Sequence, residues 1–170
     1  MSSDSGRADL VEQIRECKAC GLCELMPFKP IPGVGPLSAQ IVVVGEAPGH
    51  DESVIEEPFV GLAGRMLDRL FAESGIDRSQ VFICNTVNCR PTDTGKKNRP
   101  PKKTEIDACK HWLFKQIKLV KPKIVFTLGK VPTSTILSLK PTVKLGDYLG
   151  NEHTAKTNTR SYLTTSSYHP

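Results

Sequence analysis

Short β-branched runs alternate with helical patterns along this chain of 170 residues, and this alternation restricts the fold more than any other feature. Residues 41–44 (IVVV) form an unbroken apolar run, which is typical of a strand covered on both faces. Residues 81–83 and 124–128 have the same character, and residues 162–165 predict a fourth strand. Because strands that alternate with helices favour parallel pairing, we predict an α/β fold with three α/β/α layers around a mostly parallel, four-stranded central sheet.

Helical patterns lie between the predicted strands. Residues 62–74 place five large apolar side chains on one helical face: Leu62, Met66, Leu67, Leu70 and Phe71. A further helix is predicted to begin at Thr104, whose hydroxyl suits an N-cap, and another begins near Pro132. In a parallel sheet, ligands bind beyond the carboxyl ends of the strands, and we therefore predict the active site there.

Length and charge restrict the class of protein. A chain of this size favours one domain with its own core, and a net charge of +5 favours an anionic partner without naming one. No apolar stretch approaches the roughly 20 residues of a spanning helix, and the amino terminus has no signal-peptide core. We expect a cytoplasmic monomer that has no membrane partner.

Six cysteines are many for a chain without a secretion signal: Cys17, Cys20, Cys23, Cys84, Cys89 and Cys109. In a reducing compartment they indicate metal or cluster ligation, or buried thiols, rather than disulfides. Cys17 and Cys20 form a C-x2-C pair that can reach one centre, but Cys20 forms a second such pair with Cys23. Spacing alone therefore leaves the ligand set open, and zinc and iron–sulfur both suit thiolates. Cys84, at a strand end, is predicted to be a buried thiol.

The unusual residues follow the predicted strands, in segments 45–50 (GEAPGH), 85–91 (NTVNCRP), 128–130 (LGK) and 168–170 (YHP). Small residues in the first segment let a flat ligand approach the backbone, and Glu46 is placed at the ligand edge. Phe59 can stack on a base, although a single Phe is more often part of a core. The Asn85 amide can recognise a donor–acceptor edge, and His169 can donate to a developing oxyanion.

A basic loop follows the second strand, with five basic residues in eight positions and a sixth upstream: Lys96, Lys97, Arg99, Lys102, Lys103 and Arg90. Such a run is often only a solvated surface. Its place beside the predicted active edge favours a loop that binds phosphates.

Taken together, these segments resemble the iron–sulfur (family 4) uracil-DNA glycosylases. The matching motifs keep the family order: C-x2-C-x-L from Cys17, GEAPG at 45–49, PFVGLAGRMLDRL at 58–70, NTVNCRP at 85–91, NRPP at 98–101, ACKHWL at 108–113 and HP at 169–170. The resemblance covers nearly the whole chain. It ends at the start of the final motif, so we expect residues 1–170 to form a single glycosylase-like domain that is truncated after HP.

The resemblance implies a function and a set of site residues. It implies a [4Fe–4S] cluster on Cys17, Cys20, Cys89 and Cys109, and a partner that is uracil-containing DNA. By this resemblance Phe59 stacks on the flipped uracil, and Asn85 recognises its Watson–Crick edge. His169 stabilises the departing anion, and Glu46 orients water or stabilises the cationic sugar. The backbone of Ala47 and Gly49 lines the pocket. The implied activity is a monofunctional uracil-DNA glycosylase of base excision repair.

Two alternatives remain at this stage. The chain could be a non-catalytic DNA-binding module that keeps the fold and a structural cluster, within a larger replication or repair polypeptide. It could also be a zinc-stabilised α/β protein with another nucleotide substrate. Colour separates the last case, because iron–sulfur thiolate absorbs near ~400 nm and zinc is colourless.

Overall fold

The computed structural model describes residues 3–24, 28–140, 142–156 and 161–169, so the predicted final residue of the HP motif, Pro170, lies outside the described residues. Five strands occur in these ranges: β1 (Ile41–Gly45), β2 (Phe82–Asn85), β3 (Ile124–Leu128), β4 (His153–Lys156) and β5 (Ser161–Ser167). The helices are α1 (Ser3–Arg15), α2 (His50–Ile55), α3 (Leu62–Glu73), α4 (Lys103–Val120) and α5 (Lys130–Ile136).

The strands form one sheet in the order β2-β1-β3-β5-β4. β1 pairs in parallel with β2 and β3, and β3 pairs in parallel with β5, so the predicted mostly parallel α/β architecture is confirmed. The predicted count of four strands is wrong, because β4 adds an antiparallel edge beside β5. β4 has only four residues (HTAK), one of them a buried alanine, and this leaves almost no apolar signal in the sequence.

Alternate residues of the central strands face opposite layers. Val42 and Val44 belong to a buried cluster with Leu113 and Ile117 of α4. Val43 lies in a separate cluster with Leu67 of α3. Since successive strand residues point to opposite faces, α4 and α3 cover the two sides of the sheet and produce the predicted three layers.

Two helix predictions need correction. Thr104 is not the N-cap of α4, which begins at Lys103 with Lys102 as its N-cap residue. The Lys102 N–H donates to the carboxylate of Glu105 at 2.7 Å. α3 does not bury its whole apolar face: of the five residues predicted to share one face, Leu67 and Phe71 are buried, whereas Leu62, Met66 and Leu70 are exposed. These three recur every four residues, so they form a stripe beside the buried one.

The parallel register brings four strand ends to one edge of the sheet. Gly45 of β1 pairs with Asn85 of β2, and Leu128 of β3 pairs with Ser167 of β5. The segments that follow these residues therefore lie side by side, as the sequence predicted. No helix in the described ranges is long and apolar enough to cross a membrane.

Candidate active site and cysteine cluster

A pocket of about 580 Å³ opens at the carboxyl edge of the sheet. Six residues that the sequence predicted for catalysis and substrate binding all line it: Glu46, Ala47, Gly49, Phe59, Asn85 and His169. They come from four separate segments, after β1, before α3, at the end of β2 and after β5. The volume lies within the range of pockets that enclose small ligands.

The floor of the pocket is packed so closely that only glycine fits at the end of β1. A Cβ on Gly45 would lie 2.4 Å from Asn85 Oδ1 and 2.5 Å from Phe59 Cζ. The Thr86 N–H and hydroxyl both donate to the Gly45 carbonyl, at 2.9 and 3.0 Å. Backbone pairing thus continues past the strands and holds the amide of Asn85 beside the Phe59 ring.

Asn85 carries an unsatisfied polar atom inside the pocket wall. The residue is only 3% exposed, and its Oδ1 has no hydrogen-bond partner among the described residues. Buried polar groups are nearly always paired, since leaving an acceptor unpaired costs roughly 1–3 kcal/mol. An amide oxygen in this position suits a ligand N–H.

Phe59 is held in a conformation that a free chain avoids. Its φ is +56°, in the left-handed region that disfavours a residue with a bulky side chain. A Cβ on Gly64 would lie 2.0 Å from the Phe59 carbonyl oxygen, so α3 can approach this turn only with glycine there. The Phe59 and His169 rings are nearly parallel, with centroids 6.3 Å apart and planes 25° apart, and they form an aromatic wall.

One carboxylate ties the two pocket loops together. Glu52 of α2 accepts from the Gly49 N–H at 3.1 Å through Oε2, and from the N–H groups of Val60 and Gly61 at 3.1 and 2.8 Å through Oε1. On the other side, Arg78 donates to the carbonyl of Phe59 at 3.0 Å. The strained turn is therefore fixed through both its N–H and its carbonyl groups.

Glu46 lies in the pocket close to His169. Burial raises the pKa of Glu46 above its ordinary value of 4.5, and the electrostatic interaction with His169 acts in the opposite direction. A carboxyl with a raised pKa beside an imidazole is the kind of pair that enzymes use to orient and activate water.

Five cysteines gather in a second cluster, which contacts one residue of the pocket. The partly buried Cys17, Cys20 and Cys23 pack with the buried Cys89 and Cys109 in a cluster. Ile14 of α1, Val87 and Trp112 of α4 complete it, and Ala47 of the pocket packs against it. Cys84 lies in another cluster, where burial raises its pKa to about 12, so the prediction of a buried thiol is confirmed.

N–H donors already point at two of these sulfurs. Trp112 Nε1 donates to Cys17 Sγ at 3.1 Å, and the Asn88 backbone N–H donates to Cys109 Sγ at 3.3 Å. A hydrogen bond from Cys89 lowers the pKa of Cys20 to about 6. N–H groups directed at sulfur are typical of cluster thiolates.

The arrangement of the five thiols indicates whether they suit a single metal ion or an iron–sulfur cluster. Within the described ranges, no group of three or more His, Cys, Asp or Glu side chains is placed to hold a metal ion. A four-iron cluster binds each thiolate through a different iron, so its ligands need not converge on one point. Four of the five gathered cysteines supply the pure thiolate donor set that this cluster takes, and the fifth, Cys23, donates through its thiol to the Cys17 carbonyl at 3.2 Å.

The basic loop between β2 and α4 contains two arginines that bond within the chain. Arg90 is 5% exposed and donates to Asn98 Oδ1 at 2.6 Å, to the Gly95 carbonyl at 3.1 Å and to His50 Nδ1 at 3.2 Å. Arg99 donates to both carboxylate oxygens of Glu105, at 2.8 and 2.6 Å. This pairing lowers the pKa of the Glu105 carboxyl and raises that of Arg99. Both arginines therefore stabilise the conformation of the loop through hydrogen bonds to other residues of the chain.

The lysines of the loop face outward. All four are exposed: Lys96, Lys97, Lys102 and Lys103. Lys102 lies 3.7 Å from Asp93, and Lys103 pairs with Asp107. Among the described residues Lys96 and Lys97 have no ion-pair partner, so their charges are available to phosphates.

Sequence reasoning missed Glu52 and Arg78. The spacing from Gly49 to Glu52 is that of a capping box, which was a usable signal for the start of α2. Nothing local indicates that the same carboxylate also reaches Val60 and Gly61. Arg78 has no sequence signal, because its partners lie about 20 residues away.

A sequence model of the uracil DNA glycosylase superfamily matches residues 32–170. The type-4 uracil-DNA glycosylase of Sulfurisphaera tokodaii is 38% identical over 95% of this chain and 74% of its own length. The type-4 uracil-DNA glycosylase of Thermotoga maritima is 39% identical over 89% of this chain and 80% of its own length. The chain therefore belongs to the uracil DNA glycosylase superfamily, with the type-4 enzymes as its relatives.

Proposed function

We propose that this protein is a uracil-DNA glycosylase, a hydrolase that removes uracil from DNA in base excision repair. Membership in the family supports this function. So does the buried, unpaired Oδ1 of Asn85, because it lines a pocket that also has an aromatic wall. The type-4 relatives carry the same activity in their names.

Recognition takes place on a nucleotide that has left the base stack, since the glycosidic bond is not reachable inside a duplex. The extruded uracil stacks on Phe59. Asn85 Oδ1 accepts from the uracil N3–H, which cytosine lacks. The backbone beside Ala47 and Gly49 forms the wall against the edge of the base. A pocket that requires a hydrogen bond from the ligand rejects a base that leaves its acceptor unpaired.

The chemistry is hydrolysis of one bond. The C1′–N1 bond breaks and its electron pair leaves with uracil as an anion. A water oxygen bonds to C1′ of the sugar, and the proton that this water loses is matched by the proton that the uracil anion takes up from solvent. His169 stabilises the negative charge on the departing base. Glu46, as a carboxylate, orients the water and offsets the positive charge that develops on the sugar. The products are free uracil and an abasic site.

The gathered cysteines support a [4Fe–4S] cluster on Cys17, Cys20, Cys89 and Cys109. Hydrolysis needs no electron transfer, so a cluster held by these thiolates would supply structure: its ligands come from the segment after α1, the loop after β2, and α4. Cys89 directly precedes Arg90, which organises the basic loop. Lys96 and Lys97 then contact phosphates of the DNA, while Lys102 and Lys103 add to the positive field. A monomeric state and a cytoplasmic location stay predictions from the sequence.

The test is uracil release from a single-stranded oligonucleotide with one uracil, by the chain with its cluster intact. Asn85→Ala removes the amide, and we expect the rate of release to fall at least about a hundredfold, the scale for one oriented hydrogen-bonding group in an active site. Asn151→Ala serves as the matched control, because Asn151 is an exposed amide that does not line the pocket. Oligonucleotides with thymine or cytosine instead of uracil should release no base.

Three results would contradict the proposal in different ways. Full activity of Asn85→Ala would refute the assignment of the pocket. Absence of release by the unaltered chain, with DNA still bound, would favour the non-catalytic module. A colourless protein that is active and contains zinc would refute the iron–sulfur assignment alone.

A further inference from the structure

Cys23 is the cysteine that the proposed ligand set leaves unused within the cysteine cluster. It is half-buried in the same cluster as the four proposed ligands, and its thiol donates to the Cys17 carbonyl at 3.2 Å. Burial raises the pKa of the Cys23 thiol, and the nearby sulfurs of Cys20 and Cys17 raise it further, so the three thiols lie within electrostatic range of one another. Cys84, the other unused cysteine, is buried in a separate cluster. Only Cys23 therefore lies beside the proposed ligands.

The chain offers the same cysteine spacing on both sides of Cys20. Two residues separate Cys17 from Cys20, and two residues separate Cys20 from Cys23. A C-x2-C spacing lets two thiolates reach one centre. Either pair can therefore join Cys89 and Cys109 to complete a set of four thiolates, and the two sets differ in a single ligand.

The backbone of this segment keeps Cys23 at the cysteine cluster. Its neighbour Leu22 is 2% exposed and packs inside that cluster. Gly21 turns the chain between the two pairs with a φ of +70°, a left-handed conformation that glycine adopts without strain. The second C-x2-C pair is therefore folded against the same group of thiols as the first, although the first pair alone matches the family motif.

The exposure of the proposed ligands shows where an unused thiol has a role. Cys89 and Cys109 are buried, whereas Cys17 and Cys20 are partly open to solvent. Of these two exposed ligands, only Cys17 lies at the end of a pair that Cys23 can rebuild around Cys20. A ligand that solvent can reach is thus accompanied by a thiol that has the spacing to replace it.

We propose that Cys23 is a reserve ligand of the iron–sulfur cluster, which replaces Cys17 when that thiolate leaves its iron. This inference rests on the cluster proposed above and is independent of the glycosylase activity. The exchange balances without an oxidant or a reductant. The bond from iron to Cys17 Sγ breaks, a bond from the same iron to Cys23 Sγ forms, and the proton of the Cys23 thiol passes to the released Cys17 thiolate.

The hydrogen bonds identify Cys17 as the ligand at rest. Trp112 Nε1 donates to Cys17 Sγ at 3.1 Å, and an N–H group directed at sulfur stabilises the thiolate. Cys23 Sγ is itself the donor in its bond to the Cys17 carbonyl, so it holds a proton. The two sulfurs therefore differ in protonation as a ligand and its reserve should.

The first experiment measures iron content and thiol protection in chains loaded with iron and sulfide. Iodoacetamide should alkylate Cys23 in the folded, unaltered chain and spare the four ligands. Cys17→Ala should keep the full iron content of the unaltered chain, and Cys23 should now resist alkylation. Cys17→Ala/Cys23→Ala should lose the cluster. Cys20→Ala should lose it as well, because no remaining cysteine forms a C-x2-C pair.

A second experiment keeps all four ligands, so it does not depend on whether Cys17→Ala folds. Cys23→Ala is loaded and challenged with an iron chelator, and the loss of absorbance near ~400 nm is followed. We expect iron to leave about tenfold faster than from the unaltered chain, the lower end of the effect of residues that support metal ligands. Cys84→Ala is the matched control, because it removes a thiol from a different cluster, and it should lose iron at the unaltered rate.

The results separate the reserve ligand from the proposed function. A Cys17→Ala chain that folds, as judged by far-UV circular dichroism, but holds no cluster would refute the reserve role and leave the four-cysteine cluster in place. If that variant does not fold, equal rates of iron loss from Cys23→Ala and Cys84→Ala would refute it. Iron retained by Cys17→Ala/Cys23→Ala or by Cys20→Ala would refute the exchange between the two pairs. Absence of iron from the unaltered chain would refute the proposed cluster and this inference together, whereas absence of uracil release would refute only the activity.

Discussion

Replacing Glu52 should loosen both loops of the pocket at once. Its carboxylate accepts three backbone N–H groups, from Gly49 at 3.1 Å, Val60 at 3.1 Å and Gly61 at 2.8 Å. Hydrogen bonds to a charged group contribute about 1.5–3 kcal/mol each to stability. Glu52→Gln keeps one acceptor oxygen but turns an NH₂ group toward an N–H, so we expect a loss of about 2 kcal/mol in the free energy of unfolding. Glu52→Ala removes all three bonds, and since Glu52 is only partly buried, water replaces some of them; we expect about 4 kcal/mol.

The assay is urea unfolding of the cluster-loaded chain, followed by single-turnover uracil release under conditions where each variant is fully folded. We expect the rate to fall more than tenfold in both variants, because the strained turn at Phe59 is held by two of the three bonds. Glu57→Gln is the matched control: it makes the same charge change on an exposed residue just beyond α2. If Glu52→Gln changed neither stability nor rate relative to Glu57→Gln, the role of the carboxylate as a clasp would be refuted.

Two further predictions follow from the pocket and the cysteine cluster. Burial raises the pKa of Glu46 above its ordinary value of 4.5, so the rate of uracil release should rise with pH as this carboxyl ionises, with a midpoint above pH 4.5. Glu46→Gln should lower the rate and remove this acid limb from the pH–rate profile. The same shift predicts that folding stability falls as pH rises from 4.5 through the raised pKa, because ionisation of Glu46 is harder in the folded state. Urea unfolding at a series of pH values should show a smaller fall for Glu46→Gln. If Glu46→Gln left the acid limb of the pH–rate profile unchanged, Glu46 would be excluded as the group that causes it. Trp112→Phe keeps an aromatic ring but removes the N–H group that donates to Cys17 Sγ. Because hydrogen bonds to the ligand sulfurs raise the reduction potential of a cluster, the variant should show a lower potential in a redox titration monitored by visible absorbance. An unchanged potential would contradict the hydrogen bond.

Several features of the fold were predictable because their signals are local. An unbroken β-branched run at 41–44 can be satisfied only by a buried strand, and β1 is that strand. Once the strands are parallel, their carboxyl ends must share one edge, so the residues that follow them had to meet. This rule alone placed Glu46, Asn85 and His169 around one pocket.

Other features depend on contacts that no local pattern records. β4 exists because its backbone pairs with β5, and its residues carry no alternating apolar signal. A helical pattern indicates which residues of α3 form an apolar face, but it does not indicate how much of that face the sheet covers. Leu62 belongs to the predicted apolar face, yet in the structure it is exposed and lines the pocket. The count of basic residues predicted a cationic loop, yet Arg90 and Arg99 bond within the chain.

Local chemistry of the chain therefore determined the types of most elements, the edge of the sheet that carries the site, and the candidate side chains at that edge. The choice of four ligands among the cysteines came from the family resemblance. The tertiary structure alone decided the direction of each side chain: that Glu52 reaches two loops, that Asn85 Oδ1 is left unpaired, and that Trp112 donates to Cys17. The physical reason is that periodicity depends on neighbours three or four residues apart, whereas these contacts join residues up to 95 positions apart and depend on how the layers pack.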